Sequence, residues 1–427
     1  MTDNLNINTN KGFFRKPYKY AEGFTIASIL IIIGLILEIF IKGNGVVIPQ
    51  MPYNVYIGLI FLTLIVYVQI FHKDKYIIKF LSSVPAAISA ISSLTIIVLM
   101  MGLINQVDKE GSFLTKIGLT HLSESWIMIM LALYFLISLG LVTMRRAIPL
   151  NKKNFGFLLN HFGLWLLIFA AVIGNGDLKR LVMYTYEGED ATSLVSDELT
   201  SYNMPFSIKL IDFKVLEYNP KIVLINNSTG DIENEDKKGI IQVEEGVEVI
   251  LSNWKIKVDT LFESAIKSDA KWISSDSIGA VQAIKFTATN SENNEIISGW
   301  IASGSFAQQY QIQMLDNKYS LAVLQPEPEK YSSDIEIFSL NGTKETTTIE
   351  VNKPYNYGGW KIYQISYDSD MGKWSNLSVL ELVRDPWFPV VYVGMFMVLA
   401  GALYLFWIGK KTKDQPAEEE NNSEIKK

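Results

Sequence analysis

Asn160-His161-Phe162-Gly163-Leu164-Trp165-Leu166-Leu167-Ile168-Phe169-Ala170-Ala171-Val172-Ile173-Gly174 is a hydrophobic run of membrane-crossing length with a histidine near one end. Arg145, Arg146, Lys152 and Lys153 stand just before it. After it the chain turns polar and stays polar for about 210 residues. The run is therefore expected to be the last span before a large water-exposed domain. His161 is the one histidine of the chain's three that falls well inside an apolar run.

Outward from this helix the same pattern repeats. Hydrophobic residues make up 49% of the 427, too many for an ordinary soluble protein of this size. Residues 23–175 are mostly long apolar runs, whereas 176–386 have the composition of a soluble domain. Spans are expected at about Gly23 to Ile41, Tyr53 to Phe71, Phe80 to Ile104, Trp126 to Val142 (with the helix running on to residue 144), Gly156 to Gly174 and Phe388 to Ile408. Residues 1–22 read as a tail, and 410–427, acidic with lysines, as a disordered one. The first apolar run begins only near Gly23 and is too long for the core of a cleaved signal peptide. The net charge of −6, with no basic patch, argues against nucleic acid as a partner. There is no cysteine, which excludes disulfides, thiolate metal sites and thiol exchange within this chain.

Charge placement gives an expected orientation. Lys and Arg cluster before the first span, between the second and third (Lys73, Lys75, Lys79), between the fourth and fifth, and after the sixth. The alternate loops hold only Lys42, and Lys109 with Lys116. The positive-inside rule then puts both termini in the cytoplasm of a bacterial inner membrane and residues 176–386 in the periplasm or its equivalent. That outer region reads as β. Phe206, Ile208 and Leu210 alternate with polar residues, as do Trp254, Ile256 and Val258, and Ile284, Phe286 and Ala288. Asn219-Pro220, Asn226–Gly230, Asn341-Gly342 and Gly358-Gly359 punctuate the runs as turns. The expected fold is thus a polytopic α-helical membrane protein of six transmembrane helices carrying a large, mainly antiparallel, sandwich-like β domain, with room for two lobes.

Few residues offer chemistry. His72, beside Lys73 at the end of a span, and His121, in an outer loop, read as solvated surface histidines, with an outer metal or haem contact the alternative for His121. His161 lies roughly 8 Å into its span, at 1.5 Å per residue. Its helical neighbours are Phe157, Leu158, Leu164 and Trp165. A polar ring in such a place usually faces the bundle or a cavity and has a role. Two roles stay open: ligation of haem iron, with Phe157 and Trp165 lining the pocket, or an interhelical hydrogen bond, for instance to a serine of the third span. Residues 176–386 contain no histidine, so no Ser-His-Asp set exists there, and no phosphate-binding glycine loop is present. Glu327, Glu329 and Asp334, or Asp368 and Asp370, read as solvated loop carboxylates rather than catalytic pairs.

Several motifs in order resemble a known family. Leu139-Gly140-Leu141-Val142-Thr143-Met144-Arg145-Arg146, a short basic loop and then His161-Phe162-Gly163-Leu164 resemble the ResB family, the ResB/CcsB components of system II cytochrome c biogenesis. The small-residue stretch Ser82–Ile91 looks like the opening of that family's first span. Val351-Asn352-Lys353-Pro354-Tyr355-Asn356-Tyr357-Gly358-Gly359-Trp360-Lys361-Ile362-Tyr363-Gln364-Ile365-Ser366-Tyr367-Asp368 is similar to its extracytoplasmic signature, and Val383-Arg384-Asp385-Pro386-Trp387 to the segment before its last span. The resemblance covers about residues 80–410 and leaves the first two spans as an N-terminal extension.

The resemblance implies a four-span core and a partnership with a CcsA-type membrane protein. Together the two would carry haem b across the membrane and deliver it to apocytochrome c. It also implies a transmembrane histidine proposed as axial haem ligand, at the position of His161. The tryptophan-rich haem-handling motif of CcsA is absent, so thioether formation is not expected of this chain. A non-catalytic subunit of the ligation complex is the expectation, with a scaffold that holds no haem as the alternative. Without cysteine, the apocytochrome thiols would need a separate thioredoxin-like reductase. Trp360, Tyr363 and Tyr367 are expected to pack in the β core rather than to form a docking surface.

Overall fold

The computed structural model describes residues 18–109, 111–196, 201–233, 239–269 and 271–413. The tail expected over 1–22 lies outside these up to residue 17, and the disordered tail expected over 410–427 lies outside them from residue 414. The chain divides into two compact units. The helical one runs to Leu178 and resumes at Asp385, and the β one is Lys179–Arg384.

Six helices of the first unit are long and apolar enough to cross a membrane. They are α1 (Tyr20–Phe40), α2 (Tyr53–Phe71), α4 (Val84–Leu103), α6 (Trp126–Ala147), α7 (Phe155–Gly174) and α8 (Phe388–Lys413). Short helices α3 (Tyr76–Leu81) and α5 (Phe113–Lys116) sit in the connections. The third expected span starts later than its apolar run, because the chain breaks at Ser82 and restarts with Pro85 in the first turn of α4. There a missing amide hydrogen costs no helical bond. Many large apolar side chains face outward, among them Ile32, Ile36, Leu59, Leu99 and Phe396, as a lipid-facing exterior requires.

The helices meet where glycine lets backbones approach. α6 is central, with Leu131, Tyr134, Phe135, Leu136, Leu139 and Leu141 all buried. On α7 and α8 glycines recur at seven-residue spacing, Gly156 with Gly163 and Gly394 with Gly401, which keeps each pair on one helix face. A Cβ at Gly163 would lie 2.8 Å from the Val398 nitrogen, and one at Gly401 2.5 Å from that of Asn160. These two helices therefore pack backbone to backbone, the small-residue mode of membrane helices. Asn160 Nδ2 crosses the same seam to donate to the Val398 carbonyl at 3.1 Å. The N-terminal helices also pack closely: a Cβ at Gly34 of α1 would lie 2.8 Å from Ile127 Cα, and one at Gly58 of α2 2.5 Å from the Phe169 ring.

The β unit is antiparallel throughout its described pairings, as the alternation predicts, and has two lobes. The first is an eight-stranded sheet formed by β1 (Lys179–Tyr186), β2 (Thr192–Ser196), β3 (Ser201–Glu217), β13 (Pro328–Ser339), β14 (Lys344–Glu350), β15 (Tyr355–Tyr357), β16 (Trp360–Tyr367) and β17 (Leu377–Arg384). It curls over its own core: Ser333 on β13, Gln364 on β16 and Ser378 on β17 hydrogen-bond to one another while buried. β3 pairs directly with β13 from Glu217↔Pro328 onward, so residues 218–327 are an insertion between paired strands.

The inserted lobe is a sandwich. One sheet orders β11 (Gln313–Met314), β12 (Tyr319–Val323), β4 (Lys221–Asn226) and β5 (Ile240–Gln242). The other contains β6 (Glu248–Leu251), β7 (Trp254–Ser268), β8 (Lys271–Ser274), β9 (Val281–Asn290) and β10 (Ile296–Ala302). Trp254, Ile256, Val258, Ile284, Phe286 and Ala288 fill the space between them with no exposure, along with Leu321 and Val323. The expected sandwich-like antiparallel domain, with room for two lobes, is one sandwich and one sheet curled over its own core. Trp360 lies in the core of the rolled sheet, and Tyr367 packs against it beside Phe213 and Tyr331.

Candidate functional site

His161 lies in the second turn of α7, half-buried, with its ring directed along its own helix rather than to a serine of α4. Nδ1 is 3.1 Å from the Phe157 carbonyl oxygen. A carbonyl only accepts, so Nδ1 carries the proton and Nε2 of the neutral ring presents its lone pair. Among the described residues Nε2 has no hydrogen-bond partner. The Phe157 ring stacks on the imidazole with centroids 3.6 Å apart. One turn of spacing places both residues on one helix face, so sequence alone sets up the pair. No serine of α4 hydrogen-bonds His161 among the described residues; Ser89, buried on that helix, pairs with Tyr134 at 3.0 Å.

Phe157 thus joins His161, while Trp165 sits deeper. Its indole is 4% exposed and donates to the Leu136 carbonyl at 3.1 Å. Its ring stacks at 4.8 Å on Phe169, with Phe61 and Phe162 also within stacking range. This is an aromatic layer tying α2 to α7, one turn beyond His161. At the other side of Phe157 stands Arg146 from the end of α6, its Cζ 4.0 Å from the ring centroid. The side chain is exposed, and among the described residues no carboxylate lies within ion-pair distance of it. Arg145 differs, donating from Nη1 to Ser82 Oγ at 3.0 Å.

The arrangement is suited to metal ligation. A ligating histidine commonly donates its other ring nitrogen to a carbonyl or carboxylate, which fixes tautomer and ring orientation. His161 has that second contact in place. Among the described residues no group of three or more His, Cys, Asp or Glu side chains could hold a bare metal ion. A metal that arrives already coordinated, needing only axial ligands, fits one exposed imidazole nitrogen better.

The other histidines occupy unlike settings. His72 caps α2 against Tyr67, with ring centroids 5.5 Å apart. His121 is not the solvated loop residue expected, since its side chain is only 12% exposed. Its Nδ1 lies 2.9 Å from Asp108 Oδ1, and its Nε2 faces Glu38 Oε2 at 3.7 Å. Glu38, on α1, is fully buried and accepts from the Trp126 backbone N–H at 2.6 Å. Sequence reading passed over Glu38, although a carboxylate in the last turn of an apolar helix is a signal in itself. Thr120 Oγ1 donates to Asp108 at 2.5 Å. Burial raises the Asp108 carboxyl pKa, but hydrogen bonds from Thr120 and His121 and the His121 charge outweigh it and hold the group below its ordinary value.

In the β unit the carboxylates considered as pairs have other partners. Glu327 meets Lys221 at 2.7 Å, Asp334 meets Lys214 at 2.9 Å, and Asp368 accepts from the Asp370 N–H in a turn. Glu217, largely buried in a crevice between the lobes, is raised by that burial against the opposing pull of Lys373, 3.8 Å away. No histidine or cysteine accompanies it.

The protein is thus a polytopic helical membrane protein with a two-lobed antiparallel β unit. A model of the ResB-like family matches residues 288–376. The chain is ResB-like over this segment, in agreement with the resemblance carried by Val351–Asp368, and the family is linked to cytochrome c biogenesis. The matched segment lies wholly within the β unit, running from β9 through the inserted lobe and back into the rolled sheet. No curated protein matches the chain.

Proposed function

We propose that this chain is the ResB-type subunit of a system II cytochrome c biogenesis complex. Its helical unit holds haem as cargo through His161 Nε2, beside a CcsA-type partner that supplies the second axial ligand. The observation that carries the reading is His161 itself. It is half-buried in a membrane helix, its Nδ1 is committed to the Phe157 carbonyl at 3.1 Å, and its Nε2 is unpartnered among the described residues. An unsatisfied imidazole nitrogen at that depth is costly unless a ligand takes it. The ResB-like segment in the same chain gives that ligand a context.

On this reading the basic connections at Lys73–Lys79 and Arg145–Lys152 face the cytoplasm, which places His161 toward the side where haem is made available. The β unit lies in the periplasm and docks the partner or presents apocytochrome c. Covalent attachment is left to CcsA. Thiol reduction is left to a thioredoxin-like protein, because no cysteine is present here. The chain's own contribution is binding and orientation: Phe157 fixes the tautomer and plane of His161, and the α7–α8 seam fixes the helix that carries both.

The test is an absorption spectrum of the complex purified with its CcsA partner, comparing wild type with His161→Ala and His161→Gly. A Soret band with sharp reduced α and β bands, lost in both variants and restored to the glycine variant by imidazole, is expected. An unchanged haem spectrum in stable, normally expressed variants would make His161 a packing residue and the protein a scaffold for a haem site built by its partner.

A further inference from the structure

We infer that Arg146 is the contact for the haem propionates at the His161 site, an inference that rests on the reading just given. It starts from a three-layer stack. The His161 and Phe157 rings lie face to face, with centroids 3.6 Å apart and planes 22° from parallel. The Arg146 guanidinium carbon lies 4.0 Å from the same Phe157 centroid. Two groups so close to one ring exclude each other from a shared face, so Phe157 is sandwiched between imidazole and guanidinium. The guanidinium therefore stands about 7–8 Å from the imidazole along the stacking axis.

That axis has a fixed relation to any porphyrin held by the histidine. An iron–imidazole bond lies in the plane of the imidazole and perpendicular to the porphyrin. The normal to the imidazole plane therefore runs parallel to the porphyrin plane. Moving from His161 through Phe157 to Arg146 is a move outward across the macrocycle, toward the rim where the two propionate carboxylates are attached. A guanidinium there offers its planar fork to a carboxylate, the geometry in which arginine binds most strongly.

Three features of Arg146 suit it to this task. It has no carboxylate partner among the described residues, so its charge is available. The Phe157 face holds the guanidinium in place, which lowers the entropy lost when a ligand pairs with it. Its neighbour Arg145 points elsewhere, to Ser82 Oγ at 3.0 Å, so only one of the adjacent pair is presented over Phe157. Phe157 then has two functions, orienting the ligand through its carbonyl and spacing the cation through its ring.

The chain in complex with its CcsA-type partner, in nanodiscs of neutral phosphatidylcholine and in parallel in nanodiscs containing an anionic lipid, is titrated with haem and, separately, with haem dimethyl ester, whose propionates carry no charge. Wild type, Arg146→Gln and Arg145→Gln are compared by Soret absorbance. Arg146→Gln is expected to weaken haem binding about tenfold, to leave the band positions of the His161-ligated species unchanged, and to leave dimethyl ester affinity unaltered. Arg145→Gln is expected to change neither. Equal weakening of both porphyrins by Arg146→Gln would mean that Arg146 only props Phe157, and would overturn the assignment. So would undiminished haem affinity, or a loss that appears only in nanodiscs containing anionic lipid, which would make an anionic lipid headgroup the true partner. A wild-type complex with no Soret band would remove the haem reading itself and this inference with it.

Discussion

The two ends of α7 hold their polar groups in opposite ways. At the end of the helix stands Asp177, 9% exposed and accepting from donors elsewhere in the chain. Oδ1 accepts the Met51 backbone N–H at 2.8 Å. Oδ2 accepts Asn54 Nδ2 at 2.6 Å and Trp387 Nε1 at 2.7 Å. These contacts tie the start of α2 and the entry to α8 to the end of α7. At the start of the helix His161 is half-buried, leans on its own helix and keeps one nitrogen unpartnered among the described residues. The first group is satisfied by the fold, and the second is left for a ligand. Both are polar residues on an apolar helix, so only their partners tell architecture from function.

The sharpest way to break this comparison is to delete both groups and compare stabilities. Asp177→Ala removes the acceptor of the Met51 amide, of the Trp387 indole just ahead of α8 and of Asn54 on α2, and is expected to cost about 3 kcal/mol or more. His161→Ala is expected to cost under about 1 kcal/mol, since the hydrogen bond and ring stack it removes are both to Phe157 of the same helix. Reversible unfolding in mixed detergent micelles measures both. If His161→Ala proves as damaging as Asp177→Ala, His161 is a structural residue and the contrast fails.

A second change sharpens the comparison between them. Gly163 lies two residues past His161, where a Cβ would sit 2.7 Å from Met397 Cβ and 2.9 Å from the Gly394 carbonyl oxygen. Gly163→Leu must push α8 away from α7, an overpacking cost of about 1–3 kcal/mol. It should also break the Asn160–Val398 hydrogen bond across the seam. The same unfolding assay reads the first effect, and hydrogen exchange at the Asn160 turn reads the second. Protection there equal to wild type would show that the seam does not hold the His161 turn in place.

How far all this was legible in the sequence depends on the range of each interaction. The six spans follow from runs of apolar residues, a local property, and the strands from alternation, also local. His161 stood out because an imidazole is conspicuous inside such a run, and Phe157 because four-residue spacing puts it on the same helix face. Asp177 gave no signal, since Met51, Asn54 and Trp387 are 123 to 210 residues away along the chain. The inserted lobe was hidden for the same reason, because it is defined by the pairing of Glu217 with Pro328. Spacing puts Trp165 near His161 along α7, but it does not record that the indole donates to Leu136 and stacks on Phe169. Arg146 over Phe157 bridges two helices through a basic loop, and no periodicity records it.

The smallest expected effect comes from the cluster at Asp108, the exposed member of the set that includes His121 and Glu38. Hydrogen bonds from Thr120 and His121 hold its carboxyl below its ordinary value, against the raising effect of burial. The folded-state pKa is depressed, so the contribution to stability is fully present above the unfolded value of about 3.9 and disappears as pH falls through the folded value. The Asp108 side chain is 54% exposed, so solvent screening limits the gain to about 0.5 kcal/mol or less. Wild type and Asp108→Asn should therefore differ slightly in unfolding midpoint at pH 6 and converge as the pH falls through the depressed folded value. A difference that persists into acid would mean that the charge is not what Asp108 contributes. The loop would then be held by the shape of its hydrogen bonds, as α7 is held at Asp177.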